Sequence, residues 1–295
     1  MFKPAIVTDD GADLHIAAHR QKAMGIVGGT EETTSGVKRL DALKNAGKLL
    51  YPVIAVNDAR TKFLFDNRHG TGQSTLDGII RVTNILFAGK NKVVCGYGWV
   101  GKGVASRARG MGAIVTVTEV DPVRAIEASM DGFVVARLSD AVPAADVFIT
   151  CTGQKGVIRK EHFLRMKDGV VLANAGHFDI EIDVDSLYAI GRPARVTPNV
   201  ERINVNGNRL FLLSKGRVVN LVAGEGHPPE VMALSFANQL LSIIYVAKNY
   251  HKMEIKIHSV PEKIDNKVAV YVLDAMAIRI DEMTKEQELY RVQLH

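Results

Sequence analysis

The 295-residue chain has little cysteine: Cys95 and Cys151 are its only two, far apart in apolar runs and with no partner ligands nearby. That excludes a disulfide scaffold, gives no metal-ligating cluster, and reads as two reduced core thiols. Aromatic residues are scarce at 6%, and although Lys and Arg outnumber Asp and Glu by 37 to 32, no Lys/Arg block and no basic stripe interleaved with aromatics is present. The surplus therefore argues against a nucleic-acid partner. The start, Met1-Phe2-Lys3-Pro4 followed by Asp9 and Asp10, has neither the apolar core nor the cleavage site of a signal peptide. No long hydrophobic run is found either. The longest uncharged stretch, Val231 to Ala247, is interrupted by Ser235, Asn238, Gln239 and Ser242, short of the roughly 20 apolar residues of a membrane helix, and is read as a buried helix. These absences predict a cytoplasmic globular protein with no membrane partner.

What is present has the rhythm of an α/β sheet. Apolar, β-branched runs at Lys92–Cys95, Ile114–Thr118, Phe133–Ala136, Val147–Thr150 and Val170–Asn174 read as parallel strands covered on both faces. Between them Gly101–Arg109, Pro122–Met130 and Lys160–Met166 have the length and composition of crossover helices. The alternation predicts a doubly wound, Rossmann-type domain. The flanks differ: residues 1–74 carry many Gly, Thr, Asp and Asn, with a helical pattern at Ser35–Asn45 and a strand at Val53–Val56, whereas the chain after Gly226 reads as helical. The expected division is a substrate segment over 1–74, a cofactor domain over 75–222 and a helical return and oligomerisation segment over 223–295.

The first strand of the central domain runs into Gly96-Tyr97-Gly98-Trp99-Val100-Gly101-Lys102-Gly103. Gly96 permits the tight turn, Gly98 admits a pyrophosphate to the backbone amides, and Gly101 lets helix and strand pack closely, with the helix N-terminus facing the negative charge. Glu119, at the end of the second strand, stands roughly 20 residues on, where an acid holds the ribose hydroxyls and disfavours a 2′-phosphate. The cofactor predicted is NAD. Thr150-Cys151-Thr152-Gly153 and Asn174-Ala175-Gly176-His177 close two further strands at the edge where such sheets bind ligands.

Polar clusters crowd the flanks: Asp9-Asp10-Gly11, Glu31-Glu32-Thr33-Thr34-Ser35-Gly36, Val56-Asn57-Asp58 through Lys62, Asp66-Asn67, and Gly226-His227-Pro228. Singly these are turns, helix caps and solvated charges. If 62–66 is helical, however, Lys62 and Asp66 share a face and can pair. Together with Gly-Tyr-Gly-x-Val-Gly-Lys-Gly, Glu-Val-Asp-Pro, Asn-x-Gly-His-Phe-Asp and Val-Asn-Leu-x-x-x-x-Gly-His-Pro, these motifs resemble, in order, the S-adenosylhomocysteine hydrolase family in its shorter archaeal and thermophilic form.

The resemblance implies a hydrolase with permanently bound NAD that oxidises the ribose 3′-hydroxyl of a thioether nucleoside, eliminates homocysteine, adds water and reduces the ketone again. It implies that Lys62 takes the 3′ proton, if burial lowers its pKa, with Asp66 as its partner near the 2′ and 3′ hydroxyls. Asp10 would serve the 4′ and 5′ carbons, Glu32 would bind the ribose hydroxyls, and His177 would serve elimination and hydration at the 5′ end. Thr33, Thr34, Ser35, Asn220 and His227 would contact the nicotinamide end, and Gly98, Trp99, Val100, Gly101, Lys102, Gly103 and Glu119 would cradle pyrophosphate and ribose, with Ala175, Gly176 and His177 lining the cofactor site. No metal is implied. Family members carry a purine-contacting segment ahead of the Asp-Asp-Gly motif and a Lys/Tyr-bearing C-terminal tail that do not match this sequence. The expectation is a homo-oligomer, tetramer or dimer, or a partner chain covering the front of the substrate domain. The alternative function is a non-catalytic NAD-binding subunit of a full-length homologue.

Overall fold

The computed structural model describes residues 4–292; the first residues read for a leader, and the last three of the tail, lie outside them. Its strands are β1 (Ile6–Asp9), β2 (Gly28–Glu31), β3 (Val53–Ala55), β4 (Asn91–Cys95), β5 (Ile114–Thr118), β6 (Val134–Val135), β7 (Val147–Thr150), β8 (Val170–Asn174), β9 (Pro193–Thr197), β10 (Val200–Val205), β11 (Asn208–Leu213) and β12 (Ile257–Ser259). They form two sheets, one of four strands in the order β1-β2-β3-β12 and one of eight in the order β6-β5-β4-β7-β8-β11-β10-β9.

The larger sheet is parallel from β6 through β11, with β10 and β9 added as an antiparallel meander. Its chain order reverses between β4 and β7, the crevice in which doubly wound sheets bind dinucleotides. Because neighbouring side chains alternate across a strand, Val94, Val117, Ile149 and Ala173 fill one layer of core while Val93, Phe148 and Leu172 fill the other. That is why the predicted strands read as continuous apolar runs. The helix Pro122–Met130 starts where predicted: Pro122 occupies its first turn and the Asp121 carboxylate accepts from Val123 N at 2.9 Å.

The smaller sheet is also parallel. Its β3 lies within the predicted strand Val53–Val56, whereas β1 and β2 are short and polar at their C-terminal ends, and β12 is a single strand inside a segment that otherwise reads as helical. Helices Asp13–Arg20 and Thr34–Asn45 follow β1 and β2. The long helix Pro229–Asn249 packs along this sheet and along residues 60–70. By length and composition this helix could cross a membrane, which corrects the expectation that the run falls short. Its contacts speak for a packed helix instead: Ser235, Asn238, Ser242 and Val246 are buried, and Ser235 and Asn238 hydrogen-bond Glu32 and Thr61.

The two halves touch through backbone. Helix Thr71–Thr83 crosses helix Trp99–Gly110 so closely that a Cβ on Gly72 would lie 2.7 Å from Gly103, and one on Gly103 would overlap the Arg68 carbonyl. Only glycines allow that approach.

Candidate active site

Residues 60–70 build the centre of the site. The helix Arg60–Lys62 begins on the carboxylate of Asp265, from the helix Glu262–Ala275, which accepts from Arg60 N at 2.7 Å and Thr61 N at 2.9 Å. It then widens into a π-helical turn over Phe63–Gly70. The wider turn brings residues i and i+5 into register, which is why π turns recur at functional sites. Lys62 Nζ thus lies 2.8 Å from Asp66 Oδ2 and also donates to Asn67 Oδ1 at 2.8 Å, with Glu32 Oε1 at 3.9 Å. The ion pair expected from the spacing of Lys62 and Asp66 is present. Its partners are nearly sealed from solvent, Lys62 at 3%, Asp66 at 5% and Glu32 at 7% exposure, so their charges act at low dielectric.

Around this lysine the carboxyls differ. Burial pushes Glu32 above the usual carboxylate value, opposed by the Lys62 charge and by the Ser235 hydroxyl, which donates to it. Burial also works to raise Asp66, but the His227 hydrogen bond and the Lys62 charge outweigh it and hold its pKa down. His227 Nδ1 bonds Asp66 Oδ1, while its Nε2 faces Asn220 Nδ2 at 3.0 Å and Thr71 Oγ1 at 3.2 Å. Since the Asn220 amide must donate, the network assigns His227 the tautomer protonated at Nδ1. The chain Asn220–His227–Asp66–Lys62 therefore joins the residue expected at the nicotinamide end to the residue expected at the sugar. His227, expected at the nicotinamide end, contacts Asn220 on one side and Asp66 on the other.

The cofactor cradle assembles at the crevice between β4 and β7. Gly98 caps helix Trp99–Gly110, and a Cβ on Gly101 would collide with the Gly96 carbonyl. Glu119 directly follows β5, with its carboxylate held by the amides of Tyr97 at 2.7 Å, Val120 at 2.7 Å and Asp121 at 3.1 Å. Trp99 stacks on Phe63 with centroids 5.0 Å apart and carries Lys102 Nζ over its ring at 4.4 Å, and Lys102 also pairs with Glu127. The buried Asn220 Oδ1 has no hydrogen-bond partner. An orphan acceptor of this kind suits a carboxamide N–H, and with the glycine cradle and the Glu119 carboxylate the donor set fits NAD. Thr34 Oγ1 donates to Asn57 Oδ1 at 3.1 Å, and Asn57 also accepts from Asn67. Thr33 precedes helix Thr34–Asn45 and Ser35 lies in its first turn with a buried hydroxyl lacking a partner.

Asp10 and His177 come from opposite halves. Asp10 is exposed at the end of β1, and His177 is exposed beyond β8, its ring edge-on to Phe178 at 4.7 Å. They meet at Gly11: a Cβ there would lie 2.6 Å from His177 Nε2, and Gly11 holds a φ of +100° that favours glycine. Ala175 is buried behind His177, and Gly176 N donates to Asn174 Oδ1 at 2.7 Å.

Several contributors escaped the sequence reading. Glu181 is fully buried and accepts from Thr152 N, Thr152 Oγ1 and Gly153 N, at 2.8, 2.7 and 2.8 Å, beneath Gly176; burial raises its pKa. Asp265 was unmarked in the sequence. Ser235 and Asn238 were visible as polar interruptions of an apolar helix, the signal of a buried hydrogen-bonding face. Cys95 and Cys151 stay out of the chemistry, with burial pushing the Cys95 thiol up to about 12 and Cys151 up as well.

Comparison with known proteins fits this geometry. The profile of the S-adenosyl-L-homocysteine hydrolase NAD binding domain matches residues 67–226. The chain is 56% identical over 295 residues to the adenosylhomocysteinase of Sulfurisphaera tokodaii, covering 99% of this chain and 71% of that protein. It is 54% identical to the Saccharolobus solfataricus adenosylhomocysteinase, covering 98% and 70%, and 52% identical to the S-inosyl-L-homocysteine hydrolase of Methanocaldococcus jannaschii, covering 98% and 70%. Among solved structures, the dipicolinate synthase A chain of Bacillus subtilis superposes with a TM-score of 0.52 at 14% identity, over 75% of this chain and 66% of that one, a likeness of fold alone. With an NAD cradle, a matching domain profile and relatives this similar along its whole length, the chain belongs to the S-adenosyl-L-homocysteine hydrolase family and is an NAD-binding enzyme.

Proposed function

We propose that the protein catalyses the reversible hydrolysis of S-adenosylhomocysteine, or a close thioether nucleoside, to the nucleoside and homocysteine. The observation that carries this reading is the sealed Lys62 cluster, tied through Asp66 and His227 to Asn220 at the cofactor crevice. Bound NAD supplies a hydride acceptor that is restored within each turnover.

Lys62, flanked by Asp66 and Asn67, enters as the amine and receives the proton of the 3′-hydroxyl as its carbon is oxidised; the ion pair with Asp66 is the state so formed. Asp66, itself held by the Nδ1–H of His227, accepts from the ammonium so formed and keeps it in place. Glu32, opposite Lys62, accepts hydrogen bonds from the ribose hydroxyls. Oxidation at C3′ acidifies the C4′ hydrogen, which Asp10 removes; the C5′–S bond then breaks, and His177 gives its proton to the departing homocysteine sulfur. His177 next takes a proton from water as the oxygen adds to C5′, C4′ is reprotonated, and reduction at C3′ returns the Lys62 proton to oxygen. The sealed residues around Lys62 keep water from the ketone.

The purified, NAD-loaded protein is expected to release homocysteine from S-adenosylhomocysteine without net NADH, and Lys62→Ala to lose at least ~100-fold in kcat. Absence of turnover with NAD bound, on both the adenosyl and inosyl substrates, would overturn the reading. The intact network does not favour a non-catalytic subunit. A homo-oligomer is supported by the row Phe236, Leu240 and Ile244, which helix Pro229–Asn249 exposes at intervals of four; native mass spectrometry checks it.

A further inference from the structure

Glu31 ends β2 and Glu32 follows it directly, and the two side chains turn to different partners. Glu32 faces Lys62; Glu31 faces the other way, fully buried, beneath the Asp10–Gly11 turn. Its Oε1 accepts from Gly11 N at 2.7 Å and from Thr33 N at 3.0 Å, while its Oε2 has no partner. One oxygen thus joins the turn that carries Asp10 to the turn that opens helix Thr34–Asn45. Gly36 makes room for it, since a Cβ there would overlap the carboxyl. Gly11, fixed in this way, is the surface against which the His177 ring rests.

We infer that Glu31 is a positioning residue: through the amides of Gly11 and Thr33 it sets Asp10 and the seat of His177 for elimination and hydration, and its acceptor oxygen, not its charge, does this. The inference rests on the hydrolase reading above. Burial, with the Asp9 and Asp10 charges, raises Glu31 to about 7, so a glutamine is a close mimic of its neutral form.

Asp9, His15 and Glu31 also place ligand-type atoms within 4.8 Å of one another. A cation would find few free lone pairs there. Both Asp9 oxygens accept amides, from Asp10 and His15, and the His15 ring nitrogens face Tyr51 Oη at 3.0 Å and the Thr30 carbonyl at 3.1 Å.

The test compares Glu31→Gln, Glu31→Asp and Glu31→Ala in the NAD-loaded protein. Glu31→Gln is expected to keep kcat within about threefold. Glu31→Asp, whose shorter arm cannot reach both amides, and Glu31→Ala should lose about 100-fold in kcat with KM little changed, as for a misplacement near 1 Å. Formation of bound NADH from adenosine should persist in all three, while exchange of the 4′-hydrogen with solvent deuterium fails in Glu31→Asp and Glu31→Ala. Amide exchange at Gly11 and Thr33 should be slow in the wild type and Glu31→Gln and fast in the other two. The reverse order, with Glu31→Asp active and Glu31→Gln dead, would overturn the inference by assigning the role to charge. So would a stoichiometric metal in the wild type that Glu31→Gln removes, or full activity in all variants. A wild type without turnover would count against the hydrolase reading alone, because amide exchange at Gly11 and Thr33 still decides the role of Glu31.

Discussion

Lys92 offers a sharp test of the energetics because it sits at the wrong place for a charge. It is fully buried in β4, its Nζ has no hydrogen-bond partner, and its nearest compensation is the Phe87 ring 4.0 Å away. Burial lowers its pKa from 10.5 to about 8, with the Asp146 charge opposing. At about 1.4 kcal/mol per tenfold change in proton affinity, holding the ammonium at pH 7 costs roughly 3 kcal/mol, of which the cation–π contact returns ~1–2. Lys92→Met keeps most of the apolar stem and removes the charge, so it should stabilise the fold by about 1–3 kcal/mol at pH 7, several degrees in Tm. The sign with pH is fixed: a lysine depressed in the folded state carries its full penalty below about 8, and the penalty fades as pH rises from there towards 10.5. Thermal unfolding of both proteins at pH 7 and near pH 10 is the assay. A variant that melts at or below the wild type at pH 7, or a gain of equal size at both pH values, would refute the reasoning.

Gly103→Ala should push helix Trp99–Gly110 away from the π-helical segment Phe63–Gly70, because the new methyl meets the Arg68 carbonyl; a loss of about 1–3 kcal/mol in denaturant unfolding is expected, and an unchanged midpoint would contradict the contact. Asn220→Ala removes both the donor to His227 and the orphan acceptor, and should weaken NAD binding about tenfold in calorimetric titration. Glu31→Gln should also change the pH profile of stability. A carboxyl raised from 4.5 to about 7 by burial contributes its full stability below 4.5 and loses it as pH climbs to about 7, so the glutamine variant should gain on the wild type across that window, by up to ~3 kcal/mol. A gap that stays flat from pH 4 to 8 would count against it.

The central sheet was legible because its strands are buried on both faces: Ile114–Thr118, Val147–Thr150 and Val170–Asn174 have the bounds their apolar runs predict. The Lys62–Asp66 pair was legible because helical spacing is local. The smaller sheet was harder to read, since β1 and β2 place polar residues at the site and carry too few apolar side chains to announce a strand.

Local chemistry thus determined the parallel sheet, the glycine turn after β4 and the titratable residue types in the flanks, since each follows from neighbours within a turn or two of chain. Tertiary structure alone decided their pairing. It turned Glu32 to Lys62 and Glu31 to Gly11, set Asp265 from helix Glu262–Ala275 under Thr61, and laid His227 between Asn220 and Asp66. Those contacts join residues up to 204 positions apart, and their strength comes from the loss of water on packing, which no stretch of sequence expresses by itself.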